Sequence, residues 1–447
     1  MRPPVDGGPV AYVQQSLESP VAAARAACGL HPQSQDPDDD SDVPAAYAKY
    51  SRVPLSSAVT GVQPMTGIVM WSGNGITHGD CFSLEYSYMR YDDVCKEKDV
   101  YDWTKVESLL DRIASRGHQA VLRFYYTYVG KTTTVPGYIK ALPDYEETSG
   151  YSEDELTWFP DWRNQELQRF HLDFYRRFAE RYDKDPRLAF IETGFGLWAE
   201  YHIYEGPFEK GRTFPSSDFQ AQFFRVMQES FIHTPWMVSI DAAESKYGPF
   251  KEHKELLDID FGNFDDSFMC KEHNVENYPN WLFFGKERFK RAPFGGEFSY
   301  YTSYDQKHCL DKEGMHGRVF EDEVAKFHMT FIIGNDQPRH QTWERIAEAS
   351  MSMGYRFAVK DFRVLRGKGC AVLVKNTGVA PIYHDAFFEA DGVRSGTSLR
   401  ELMPGDSLWV EIANPAVSAS PVLQIACDRL VPGQQIGFDA NCPGSGE

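Results

Sequence analysis

Residues 165–202 read QELQRFHLDFYRRFAERYDKDPRLAFIETGFGLWAEYH. The first part, Gln165 to Arg181, is amphipathic and rich in arginine and aromatic side chains, which predicts a long surface helix. After a polar connection, Leu188 to Thr193 forms a short apolar run, which predicts a strand. The strand then breaks into glycine and aromatic residues, Thr193-Gly-Phe-Gly-Leu-Trp198. A helix that feeds a buried strand ending in a glycine-rich loop is the repeating unit of a parallel sheet.

The same unit recurs on both sides. Upstream, Gly67 to Trp71 predicts a first strand, Phe82 to Arg90 a second and Ala120 to Tyr125 a third. Between the last two, Trp103 to Arg116 has helical apolar spacing, with Gly117 as its stop. Downstream, Phe219 to Phe231 is the next helix, and Trp236 to Asp241 a fifth strand. Asp258 to Phe264 is read as the sixth, Ala292 to Phe298 as the seventh and Phe327 to Gly334 as the eighth, with a closing helix over Thr342 to Gly354. Eight such repeats over this length match a (β/α)₈ TIM barrel.

Beyond Tyr355 the pattern becomes short apolar or alternating runs separated by turn residues: Ala371 to Lys375, Ala386 to Glu389, Ser407 to Ile412 and Val422 to Ala426. These predict a small C-terminal antiparallel β-sandwich. The chain of 447 residues is thus read as an irregular N-terminal extension over 1–60 with an acidic tract at Asp36 to Asp42, a barrel over 61–358 and a sandwich over 359–447.

Composition narrows the function. A formal charge of −19 opposes nucleic-acid binding, because a phosphate backbone needs a basic surface. No apolar run reaches the ~18 residues of a membrane span. Aromatic residues make up 14% of the chain, and sugar rings pack on aromatic planes. The eight cysteines show no CxxC and no histidine spacing suited to zinc, so neither a metal nor an organic cofactor is expected. Their even number permits disulfides and an exported location, with Cys270–Cys309 and Cys427–Cys442 as the expected pairs. The start, Met1 to Gln15, carries no visible secretory leader.

Barrel active sites sit at the C-terminal ends of the strands. Strand four runs through Glu192 to Glu200 and His202, and strand seven into Gly295-Gly-Glu297. Opposed strands place Glu200 and Glu297 across one mouth, the arrangement that retaining glycosidic hydrolysis requires of its acid/base and its nucleophile. Glu192 competes with Glu200 but lies inside its strand, where it would point into the barrel. Trp198 beside Glu200 would raise the proton affinity of that carboxyl, and Arg90 or Arg123 would keep Glu297 ionised. Trp71, Tyr125, His202, Asn263, Asp265, Asp266, Tyr300 and Asn335 are candidate sugar contacts. Tyr125 to Tyr128 and Trp158 to Trp162 are candidate platforms.

The run Gly194-Phe-Gly-Leu-Trp-Ala-Glu-Tyr-His202, with Gly295-Gly-Glu297 and Leu122-Arg-Phe124, resembles the barrel glycosidases of the large retaining clan. Within it, the chain is most similar to a little-characterised β-galactosidase-like group with a C-terminal sandwich. The resemblance spans most of 65–447. It implies a β-linked oligo- or polysaccharide substrate, galactoside first, with Glu200 as acid/base and Glu297 as nucleophile. Ala199 and Tyr201 stand where that group has glycine and tryptophan, and the clan's usual Asn-Glu ending of strand four is absent. Two other readings fit the same residues: a lyase or inverting hydrolase, and a carbohydrate-binding barrel without turnover.

Overall fold

The computed structural model describes residues 43–73 and 79–444. The acidic tract and Cys28 lie outside them. Eight parallel strands close into a barrel: β1 Gly67–Trp71, β2 Leu84–Arg90, β3 Gln119–Tyr125, β4 Leu188–Thr193, β5 Trp236–Ser239, β6 Gly262–Phe268, β7 Phe294–Phe298 and β8 Phe331–Ile333. The helices that pack outside are α1 Thr104–Ala114, α2 Gln165–Tyr182, α3 Ser217–Ser230, α4 Asn277–Phe284, α5 Phe320–Phe327 and α6 Trp343–Met351. Side-chain oxygens cap three of them: Asn164 accepts from Leu167 N–H at 2.9 Å, and Ser216 and Thr342 accept from Phe219 and Arg345 N–H at 3.2 Å. No helix among the described residues is long and apolar enough to cross a membrane.

Two strands differ from expectation. The sixth begins at Gly262, because Lys254–Asp258 forms a 3-10 turn instead of a strand start. The eighth is confined to Phe331–Ile333, since Phe327 ends α5 and His328 caps it in the left-handed conformation.

Past the barrel, β9 Phe357–Leu365, β10 Gly369–Asn376, β11 Ala386–Ala390, β12 Ser407–Ala413, β13 Leu423–Cys427 and β14 Phe438–Cys442 build two facing sheets. The larger has the order β12-β10-β9-β14 and is antiparallel except for the β9–β14 pair. The segment before the barrel, expected to be irregular, supplies two short strands to this sheet: Ser51–Arg52 pairs with β9 and Leu55–Ser57 with β14.

The sandwich core is continuous with the barrel interior: Phe190, Phe264 and Phe331 share one buried cluster with Phe357, Phe388 and Ile425. The contact is made at the N-terminal ends of the barrel strands. Arg429 donates to Leu188 O at 2.8 Å, Asp183 O at 2.9 Å and Thr234 Oγ1 at 2.9 Å, and Tyr383 donates to Phe289 O at 2.6 Å. The opposite end carries the C-terminal ends of the strands, where barrel sites form.

The seven described cysteines are buried free thiols, so neither expected disulfide forms. Cys427 and Cys442 belong to different sheets, and Cys442 Sγ faces Val359 O at 3.7 Å. Cys270 and Cys309 turn to Asn277 Oδ1 and Gln306 O.

Candidate active site

Strand alternation decides which side chains reach the mouth. Phe190 and Glu192 of β4 point inward. Beyond Thr193 the chain folds back on itself: Gly196 N–H reaches Glu200 O at 2.8 Å and Leu197 N–H reaches His202 O at 3.0 Å. A Cβ on Gly194 would lie 2.0 Å from Ala199 O, and one on Gly196 1.9 Å from His202 O. Only glycine permits so close a return, which is the physical content of the Gly-x-Gly motif. Trp198 and Ala199 hold φ of 53° and 57°. A non-glycine residue in that region costs on the order of 1 kcal/mol, and such strain concentrates at functional sites. The strained turn delivers Glu200, 9% exposed, to the mouth.

On the far side, Gly296 lies so close to β6 that a Cβ would meet Asp265 O at 2.1 Å. Glu297 follows, in register with Ile333, and projects inward. Glu200 and Glu297 interact across the mouth: Glu200 is among the charges that raise the pKa of Glu297.

On β3, beside β4, Arg123 is fully buried. Its guanidinium donates to Glu192 through Nε at 2.9 Å and again through Nη2, to Asp266 Oδ2 at 2.7 Å and to Trp198 O at 3.2 Å. Phe264 lies beneath it, 4.1 Å from the ring centroid. One oxygen of each carboxylate partner, Glu192 Oε1 and Asp266 Oδ1, is buried with no hydrogen-bond partner.

Four carboxyls therefore share one guanidinium and one imidazole. Burial, partly offset by His202, raises Glu200 to about 7, and burial, partly offset by Arg123, raises Glu192 to about 7. Glu297 is raised further, by burial and then by Asp266. Arg123 pulls Glu297 down as expected, but burial and Asp266 outweigh it and the carboxyl stays raised; the hydrogen bonds of Arg123 go to Glu192 and Asp266, and Arg90 forks onto Asp92 at 2.9 and 2.7 Å. Burial opposes a charge on His202, but Glu200 and Asp241 outweigh it and lift the imidazole to about 9.

Trp71 lies at the mouth with Tyr86 and Tyr88, ring centroids 5.9 and 5.7 Å away, and its backbone N–H donates to Asn335 Oδ1 at 3.1 Å. Tyr125 contacts Tyr88 and Tyr128. Tyr300 is half exposed and donates to Asp336 Oδ2 at 3.3 Å.

Asp265 and Asn263 do not join this group. In β6, Phe264 and Asp266 are the inward residues, so their neighbours face the helices. Asp265 accepts from Asn277 at 2.7 and 2.9 Å, and Asn263 turns to Val238 O. Tyr126 and Trp162, each 1% exposed, belong to the outer core and are no platform. Sequence reasoning missed Tyr88 and Asp241. The latter follows β5, a position where a strand-end carboxylate signals function.

Glu200, His202 and Asp241 are the one group of three metal-type donors among the described residues. A cavity of about 770 Å³ opens elsewhere, between α1, the segment after α2 and Val431–Pro432. Its Arg181 and Arg187 are already paired with Glu107, Asp111 and Asp185, and it holds none of the carboxyls of the mouth.

No protein-family model and no curated protein matches the chain. Among solved structures it is similar to a glycoside hydrolase family 30 subfamily 8 xylanase from Clostridium acetobutylicum, at 10% identity and a TM-score of 0.38, over 82% of this chain and 98% of that one. It is similar also to an α-galactosidase from Thermus thermophilus, at 12% and 0.37 over 71% and 66%. A third is the catalytic domain of a β-amylase from Paenibacillus polymyxa, at 11% and 0.38 over 65% and 99%. At these identities and scores the likenesses carry nothing about reaction or substrate.

Proposed function

We propose that this protein is a retaining glycoside hydrolase acting on a β-linked saccharide, with Glu297 as nucleophile and Glu200 as acid/base. The observation that carries the reading is a pair of carboxyls, delivered by opposed strands β4 and β7 to one mouth, with Glu200 near enough to raise the pKa of Glu297. The reaction requires Glu297 ionised and a proton on Glu200, although burial and Asp266 raise Glu297 strongly in the free site, so seating of the substrate must leave the proton on Glu200. Glu200 donates it to the glycosidic oxygen as Glu297 attacks the anomeric carbon, and the leaving alcohol departs. Glu200 then takes a proton from water, whose oxygen displaces Glu297 and releases the sugar with its original anomeric configuration.

Trp71, Tyr300 and the tyrosines around them supply faces for sugar rings. Galactosides are the first substrates to try, on the resemblance of the strand-four and strand-seven motifs alone. The test is the anomeric configuration of the first product, read by NMR. Net retention, with a fluorinated slow substrate trapped covalently on Glu297 and detected by peptide mass, is the expected outcome. Inversion, or a label on another residue, would replace this mechanism. Glu200→Gln is expected to spare aryl glycosides with good leaving groups while losing action on unactivated ones.

A further inference from the structure

Glu200, His202 and Asp241 each present one ligand atom, and the three atoms lie within 4.8 Å of one another. We propose that they form a site for a divalent transition-metal ion of the zinc class, and that occupation silences turnover; the second half rests on the acid/base role assigned to Glu200.

Two contacts of His202 are longer than a charge-assisted hydrogen bond. His202 Nε2 stands 3.4 Å from Glu200 Oε2 and 3.9 Å from Asp241 Oδ2. A charge-assisted hydrogen bond closes to about 2.7–2.9 Å, and elsewhere in this protein it does: Arg116 reaches Glu85 at 2.6 and 2.7 Å. Tetrahedral zinc with ligands at about 2.0–2.2 Å sets ligand–ligand edges of about 3.3–3.6 Å. The two His202 edges therefore match donors arranged around an ion better than donors bonded to each other, and the third edge lies within 4.8 Å.

The three groups are also held in place. Ser239 Oγ donates to Asp241 Oδ2 at 2.7 Å, the imidazole packs beside the stacked rings of Trp198 and Tyr204 at 6.3 and 5.2 Å, and Glu200 rides on the strained turn. One imidazole with two carboxylates suits zinc over magnesium or calcium, which prefer oxygen donors. Three protein ligands leave a fourth position open. The His202 Nδ1–H meets no acceptor, so the orienting hydrogen bond typical of tight sites is missing and a reversible, micromolar site is expected. A bound ion occupies the Glu200 lone pair that must carry the proton, which stops proton donation.

The test uses the full chain stripped with a chelator. Calorimetric titration with zinc chloride is expected to give one equivalent bound, weakened at least ~10-fold by Asp241→Asn and by His202→Gln. Cobalt(II) on the parent protein is expected to give the intense visible absorption of a four- or five-coordinate ion, a readout independent of the variants' folding. No binding, an octahedral cobalt spectrum, or binding unchanged in both variants overturns the site. The last result would point to an exposed donor set such as His253 with Asp218 and Glu255. Zinc should suppress turnover of the parent and a chelator restore it. Binding at the site with undiminished turnover defeats the silencing. A parent that binds zinc but hydrolyses no glycoside defeats the proposed function and leaves the site standing.

Discussion

The two ends of the barrel both bury ionisable groups, and they treat them in opposite ways. Low on the wall, Glu85 is fully buried but takes Arg116 at 2.6 and 2.7 Å and His118 at 2.8 Å. Burial alone would raise this carboxyl; its cations outweigh that and lower it. At the mouth, Glu192, Glu200, Asp266 and Glu297 outnumber Arg123 and His202, and three of the four carboxyls are pushed up instead. Matched charge fastens the helix layer to the barrel, and Arg429, through hydrogen bonds to Asp183 O, Leu188 O and Thr234 Oγ1, fastens the sandwich to its base. Unmatched charge at the other end costs stability, and proteins retain such costs where chemistry needs them.

The largest effect expected from this contrast is in the pair Glu297→Gln and Glu85→Gln. The first should lower turnover by at least ~10⁴-fold, as loss of a nucleophile does. Its melting temperature should hold or rise, because one acid is removed from an excess. The second should leave turnover of the folded protein intact and cost about 1–3 kcal/mol, since Arg116 and His118 lose their charged partner in a buried place. A Glu297→Gln protein that unfolds while Glu85→Gln stays inactive but stable would reverse the assignment of the two ends.

A smaller effect follows in the pH dependence of stability. For Glu85, lowered in the folded state, the native protein binds fewer protons than the unfolded chain, so its contribution is present above the unfolded value of about 4.5 and is lost as pH falls through the folded one. For Glu192, raised to about 7, the native protein binds more protons, so stability declines as pH rises from about 4.5 to about 7. Glu297 acts in the same direction. Melting temperature should therefore peak near pH 5. Glu85→Gln should flatten the acid limb and Glu297→Gln the neutral limb; equal flattening of both limbs by either variant would break the comparison.

How much of this was legible in the sequence depended on what each strand buries. β4 was read to its last residue because it is apolar on both faces until Glu192. β6, GNFDDSF, defeats a search for apolar runs because it lines the mouth, and the apolar residues before it drew the reading four positions early. Asp265 and Asp266 are adjacent candidates in the sequence, and only the alternation of the strand in the fold shows that Asp266 faces Arg123 while Asp265 faces Asn277. The Gly-x-Gly and Gly-Gly motifs were visible as patterns, but their cause, backbone returning within 2 Å of where a Cβ would sit, exists only in the fold. Arg123 was recognised as a candidate without its partner. Glu192 lies opposite it in the β3–β4 register, a relation across 69 residues that no local spacing reveals. The strands at 51–57 were unreadable for the same reason, since both of their partners lie beyond residue 356.

The smallest expected effect separates the two ends at the level of a single hydroxyl. Tyr383, buried at the base, donates to Phe289 O at 2.6 Å; Tyr300, half exposed at the rim, donates to Asp336 at 3.3 Å. A buried hydrogen bond whose acceptor is left unsatisfied is worth about 1 kcal/mol of stability, and an exposed one is replaced by water. Tyr383→Phe should therefore lower the melting temperature by a few degrees with kcat and KM unchanged. Tyr300→Phe should leave melting unchanged and, on the proposed function, raise KM a few-fold, because the ring face remains while the polar edge that meets the saccharide is lost. If Tyr300→Phe instead shifts melting and not KM, the rim belongs to the scaffold, and the boundary between the two ends lies closer to Glu297 than the exposure of Tyr300 suggests.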